Sequence, residues 1–183
     1  MPSVAIDRPE PSEYAPYFER YISKVPDGDI LEMLSKQLDE TLRLLGSVSE
    51  TGGDYRYGPE KWSIKEVVGH VADTERIFCY RALCFARAEA AALPGFDEND
   101  YVRNSNFSRR TMRDLAGELA AVRRATLALF TNLDEEAMTR RGTANQREYS
   151  VRAIPFIIAG HERHHVALLR ERYATGLGAA PTA

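Results

Sequence analysis

Cysteine is scarce in this chain: Cys79 and Cys84 are the only two among 183 residues. They sit five apart on one predicted helix and point in different directions, which excludes a disulfide between them. Both are expected as reduced thiols in a cytoplasmic protein. Long apolar runs are missing too. No stretch approaches the ~20 residues of a membrane span, and the opening MPSVAIDRPEPSEY is not read as a signal peptide. A net charge of −3 gives no electrostatic reason to expect a nucleic-acid partner. No internal repeat, low-complexity block or convincing strand is found, nor a Ser–His–Asp triad, P-loop or dinucleotide fingerprint. With 44% hydrophobic and 28% charged residues, what remains is one globular domain with a sizeable core.

Residues 1–28 carry Pro2, Pro9, Pro11, Pro16 and Pro26 and cannot form one regular element. Tyr14, Tyr17, Phe18 and Tyr21 make the segment too apolar for a free tail, so it is read as an extended or one-turn strap across the bundle, its aromatics used for packing. A first long helix is predicted from Asp29, its N-cap, to about Ser49, with Leu31, Leu34, Leu38, Leu42 and Leu45 at helical spacing. A second begins at the capping box Ser63/Glu66 and runs to about Ala91. Its inward stripe holds Ile64, Val67, His70, Val71, Thr74, Ile77, Phe78 and Arg81, while Asp73 and Glu75 are placed toward solvent or Arg76 and Arg81. Residues 93–109 form a long connection over one end of the bundle, with Ser108 as the next N-cap. A third helix spans about Arg110–Asn132, an acidic turn and polar loop fill 134–149, and a fourth helix follows Ser150 with Pro155 in its first turns. The fold class expected is all-α: an antiparallel four-helix bundle over residues 29–173 with one long crossover loop, ending in a disordered tail, 174–183.

Three of the four histidines lie within five residues of the fourth helix: His161, His164 and His165. At roughly 100° per residue, His161 and His165 stand about 40° apart, with Val151, Ile154, Ile158, Leu168 and Leu169 on or beside the same face. Inward imidazoles need partners for two nitrogens each, so they imply a hydrogen-bonded cluster or a metal ion. The run His161–Glu162–Arg163–His164–His165 satisfies H-E-x-x-H, the zinc metalloprotease signature, but no third ligand follows it. The better third ligand is His70, because bundle metal sites are built from inward side chains on facing helices. Three neutral imidazoles suit Zn²⁺, Ni²⁺ or Fe²⁺ and leave positions for water or substrate. Neither cysteine is placed to complete the shell, and Glu66 is the nearest inward carboxylate. Trp62 stands at the mouth of the second helix, where it could wall a pocket or act as a hydrophobic staple.

The segments WSIKEVVGHVADTERIFCYRALCFAR and IIAGHERHHVALL resemble the DinB-like four-helix bundles, a family that includes bacillithiol- and mycothiol-dependent transferases and isomerases. The resemblance covers about residues 29–173 and implies His70, His161 and His165 as metal ligands, with His164 matching an additional histidine that does not ligate. It also implies a frequent homodimer, for which Leu83, Phe85 and Val122 offer apolar surface beside the core stripes. The function expected is a metal-dependent enzyme acting on a small molecule, as a thiol transferase with a low-molecular-weight thiol as cosubstrate or as a hydrolase. The alternative is a non-catalytic bundle that binds a metal or a small ligand. No individual catalytic residue and no organic cofactor is assigned.

Overall fold

The computed structural model describes residues 6–178. The chain enters through two single 3-10 turns, Pro11–Glu13 and Pro16–Phe18, each opening on a proline whose missing N–H is not needed there, and continues into a short helix, α1 (Glu19–Ile22). Then come α2 (Ile30–Gly46), α3 (Glu50–Gly53), α4 (Ile64–Ala86), α5 (Glu98–Arg103), α6 (Met112–Thr131), α7 (Glu135–Thr139), a hairpin of β1 (Arg141–Ala144) and β2 (Arg147–Ser150), and α8 (Ala153–Arg172). The four long helices α2, α4, α6 and α8 form the bundle. Their starts follow from local chemistry. The Asp29 carboxylate accepts from the Leu31 and Glu32 amides, Ser63 and Glu66 close a reciprocal capping box, and Thr111 accepts from the Asp114 amide.

Helix α2 packs on α6 and α8, and so does α4, which leaves α2 and α4 diagonal to each other. The Met112 amide donates to Glu50 (3.0 Å) and Lys65 pairs with the same carboxylate (3.3 Å), so α4 and α6 start at one end and run parallel. Residues 87–111 are the long crossover that carries the chain back along the bundle between them. Contacts between α2 and α6, and between α4 and α8, are antiparallel.

The apolar core has two halves, one around Ile30, Leu34, Phe130 and Ile154, the other around Leu45, Val68, Leu115 and Leu169. A polar layer lies where they meet. Arg123, completely buried, donates from Nε and Nη2 to both Glu75 oxygens (2.8 and 2.9 Å), from Nη2 to Glu162 (2.7 Å) and from Nη1 to the Leu34 carbonyl (2.8 Å). Thr126 donates to Glu75 (2.6 Å), Thr41 donates to Glu162 (2.6 Å), and Gln37 donates to Glu162 and to the Ala159 carbonyl. Every bundle helix contributes to this one cluster.

Several expectations are corrected. Helix α4 ends at Ala86, not Ala91, because the amides of Ala88 and Glu89 turn back to the carbonyls of Phe85 (2.9 Å) and Cys84 (3.0 Å) in a Schellman closure. That closure uses a left-handed residue, and here it is Ala88 (φ 58°) where glycine is usual. The 93–109 connection contains α5, capped by Asp97, and a 3-10 turn, Phe107–Arg109; the cap of α6 is accordingly Thr111, not Ser108. The polar loop of 134–149 contains α7 and the hairpin, whose two-residue turn Asn145–Gln146 has both φ angles positive. Glu75 faces Arg123, not solvent. Phe85 and Val122 are core residues, which leaves Leu83 (42% exposed) as the one exposed member of the trio offered for self-association. The tail begins with turns over 174–178, where Leu177 packs on the core; residues 179–183 lie outside the described residues, as do 1–5 with Pro2. Among the described residues no helix is long and apolar enough to cross a membrane.

The strained cap gives a direct test. A non-glycine residue in the left-handed region costs about 1–2 kcal/mol, so Ala88→Gly should raise the urea midpoint by an amount equivalent to about 1 kcal/mol. An unchanged midpoint would show that the closure carries no strain.

Candidate metal centre

His70 stands about two turns into α4 on its inward face, and His161 and His165 stand one turn apart on α8. The antiparallel packing of these helices brings the three rings together, all buried. His161 Nε2 lies 3.1 Å from His70 Nε2 and 3.1 Å from His165 Nε2, and the three ligand-capable nitrogens lie within 4.8 Å of one another. Glycines next to two of these histidines fix the rings' surroundings. A Cβ on Gly160 would stand 2.1 Å from the Tyr21 carbonyl oxygen, so its absence lets α1 press against α8 and sets the Tyr21 ring edge-on to His161 (5.4 Å). Gly69 likewise admits the ring of Phe107 from the crossover.

A hydrogen-bonded cluster does not account for this geometry. A neutral imidazole nitrogen either carries one proton or offers one lone pair, so His161 Nε2 can complete one of its two close contacts and not both. His165 Nδ1 is moreover buried without a partner among the described residues. An ion bound at Nε2 leaves the proton on that Nδ1, so the nitrogen is equally unmet in either arrangement, and it is the doubly shared His161 Nε2 that decides. A cation accepts all three Nε2 lone pairs at once. Nitrogens about 2.0–2.1 Å from a tetrahedral zinc ion stand roughly 3.3 Å apart, close to the two separations of 3.1 Å that His161 makes here, so the donor set fits a divalent ion.

Burial sets the protonation state. It drives the His70 pKa down to about 4, with His164 adding to the effect, and holds His161 and His165 well below the ordinary range, where neighbouring imidazoles act in the same direction. All three are therefore neutral at pH 7, the form in which a histidine binds a metal.

The triad opens into a cavity of about 240 Å³. Trp62 walls it beside His70, with ring centroids 4.8 Å apart, so this side chain does face the site. Further cover comes from Tyr17 and Tyr21 of the N-terminal segment, from Phe96 of the crossover and from Arg147 of the hairpin. His164 is exposed at the rim, its ring 5.0 Å from His165 and 5.9 Å from Tyr21. Two predicted candidates lie elsewhere. Glu66 is committed to its capping box and to Arg56 (2.6 and 2.9 Å). Glu162, the acid of the H-E-x-x-H pattern, is held by Arg123, Thr41 and Gln37, so the base that a metalloprotease needs is not available. Thr74 approaches His70 Nδ1 only at 3.5 Å. Cys79 is engaged with Thr126 (3.0 Å), and burial pushes its thiol up to about 11, which leaves it unreactive. The reading of residue types missed Arg20, Asn145 and Arg147, because the segments carrying them have no periodicity that aims a side chain.

The chain is thus a four-helix bundle with one inward histidine on α4 and an H-x-x-x-H pair on α8. Residues 33–169 match the model of the DinB superfamily, and the chain belongs to that family. Among solved structures it is similar to YfiT from Bacillus subtilis, described as a probable metal-dependent hydrolase with an unusual four-helix bundle topology (17% identity, 97% of each chain covered, TM-score 0.71). It is also similar to a mycothiol-dependent maleylpyruvate isomerase (14% identity, 79% of this chain and 61% of that one, TM-score 0.64) and to the DinB-like protein YjoA from Bacillus subtilis (18%, 85% and 96%, TM-score 0.59). A search of curated proteins gave no significant match.

The depressed histidines give the metal-free protein a defined acid sensitivity. In the unfolded chain they titrate near 6.5 and in the fold far lower, so between pH about 6.5 and 4 the unfolded state binds more protons and stability falls with pH. The urea midpoint of metal-free protein should drop between pH 7 and 5, and a His70→Gln/His165→Gln variant should lose less over that range. An equal drop in both would assign the sensitivity to other groups.

Proposed function

We propose that this protein is a metal-dependent enzyme acting on a small molecule, with one divalent transition-metal ion (zinc, nickel or iron) held by His70, His161 and His165. The carrying observation is the convergence of three neutral Nε2 atoms on the wall of a cavity large enough for a small ligand. A bound divalent ion there supplies Lewis acidity, lowering the pKa of a water or thiol that joins it. The chain's own residues do the rest. The three buried rings supply lone pairs without competing protons, and three ligands leave the coordination shell open on the cavity side. Trp62 and Tyr21 exclude water from two sides of that opening. His164 is the proton acceptor in this reading: burial, then Lys24 and Arg20, lower its pKa, so it is neutral at pH 7, and it makes no hydrogen bond among the described residues.

Two reactions fit, transfer of a low-molecular-weight thiol and hydrolysis. YfiT is described as a probable metal-dependent hydrolase and the isomerase as mycothiol-dependent, so the likeness supports each branch. The cavity favours an enzyme over a storage or sequestering bundle, because it carries a neutral, unpaired base at its rim.

Cobalt substitution tests the site and separates the branches. Untagged protein should take up about one Co²⁺ per chain. Alanine at His70, His161 or His165 should each lower that occupancy at least tenfold, whereas His164→Ala should leave it unchanged. Adding 2-mercaptoethanol to the cobalt protein should produce a sulfur-to-cobalt charge-transfer band. A full site whose spectrum ignores the thiol would end the thiol-transfer branch, and occupancy indifferent to the three alanines would end the metal reading.

A further inference from the structure

One charged group in the cavity has no counter-charge. Arg81 lies eleven residues after His70 on α4, on nearly the same face, and is 95% buried (5% exposed). Its guanidinium leans back over Phe78 (5.3 Å to the ring centroid) into the cavity that His70, His161 and His165 line. Of its five N–H groups one is spent, on the Pro94 carbonyl at 3.0 Å. No carboxylate among the described residues pairs with it, and Glu98, the acid in the cavity wall, makes no ion pair there. Beside it the buried Tyr149 hydroxyl has no acceptor for its own proton, and Arg81 is both the foremost charge and the side-chain donor acting on that hydroxyl. A guanidinium and a phenol, both donors and both short of an acceptor, thus face the same space.

The contrast with Arg123 is chemical. Arg123 is completely buried and meets two carboxylates and a carbonyl. Burying an ion without a counter-charge costs several kcal/mol, and the Pro94 carbonyl and the faces of Phe78 and Phe96 do not neutralise the charge at Arg81. A ligand bearing an oxyanion would.

We propose that the cavity recognises an elongated anion whose carboxylate or phosphate is held by Arg81, assisted by Tyr149, while its other end reaches the three histidines. The proposal deepens the enzymatic reading and rests on it for the role of the far end. Eleven residues of helix rise roughly 16 Å, and the backward lean of Arg81 shortens the span to on the order of 10 Å. The substrate class is therefore an acid with its anionic group about six or more bonds from the reacting atom. Arg147 and Arg20 at the mouth favour the same sign: both stack on Tyr17 (4.1 and 4.0 Å), and neither has a carboxylate partner among the described residues.

The sole tryptophan, Trp62, packs on His70 and reports on the cavity through its fluorescence. Metal-free protein would be titrated with hexanoate, hexyl phosphate and hexanol. The anions should bind saturably and more tightly than the alcohol. Arg81→Met should weaken the anions at least tenfold and leave hexanol unaffected. Arg81→Lys should fall between, losing more with whichever anion uses the bidentate fork, which distinguishes a carboxylate from a phosphate substrate. Because the ligand-free guanidinium is uncompensated, Arg81→Met should melt no lower than wild type. No saturable anion binding to wild type, or undiminished binding to Arg81→Met, overturns the proposal. So does a lower-melting Arg81→Met whose Arg81→Lys counterpart binds anions as well as it binds hexanol. Absence of a metal centre would leave all these titrations unmoved, so the two readings fail separately.

Discussion

A single buried guanidinium organises this bundle. Arg123 of α6 reaches Glu75 of α4, Glu162 of α8 and the Leu34 carbonyl of α2, so one side chain fixes the relative rotation and height of four helices. Burial alone would lower its pKa, but the two carboxylates lift it above the usual value, and it is charged at any accessible pH. Such a cluster is a poor source of net stability, because stripping water from three ions consumes most of what their attraction returns. What it contributes is registry. Apolar packing tolerates a helix turned by a fraction of a turn; an arginine with four donor contacts does not.

Registry matters because the candidate site is built on the neighbouring face of the same helix. Glu162 follows His161 by one residue, about 100° around α8. With Glu162 held toward Arg123, His161 and His165 must turn toward α4 and meet His70. The sequence pattern H-E-x-x-H is thereby resolved into two devices, a histidine pair for the cavity and a glutamate for the bundle's centre. The helices are held together by the two apolar halves of the core as well as by this cluster.

Much of this was legible in the residues and some of it was not, for physical reasons. The triad could be read because helical phase and an apolar background together aim a side chain, and His70, His161 and His165 each stood among inward residues. Glu75 was misplaced by the rule that acids face solvent; the corrective signal was Arg123 and Thr126, standing at helical spacing between Leu119 and Phe130 on α6. The hairpin was invisible because its turn is Asn145–Gln146 without glycine and its strands, RGTA and REYS, do not alternate apolar with polar residues. The early end of α4 escaped because Ala88 occupies the position that glycine normally marks. The cavity's cover escaped with them: the strap, the crossover and the hairpin are irregular, and their side chains are aimed by tertiary contact alone.

A metal-dependent function requires that the three histidines hold one ion with an open side. X-ray absorption at the zinc edge of the zinc-loaded, untagged protein tests this directly. It should show three imidazole nitrogens at about 2.0–2.1 Å and one further light atom, replaced by sulfur when a small thiol is added. A shell completed by a protein carboxylate or cysteine, unchanged by added thiol, or one containing fewer than three imidazoles, would contradict it.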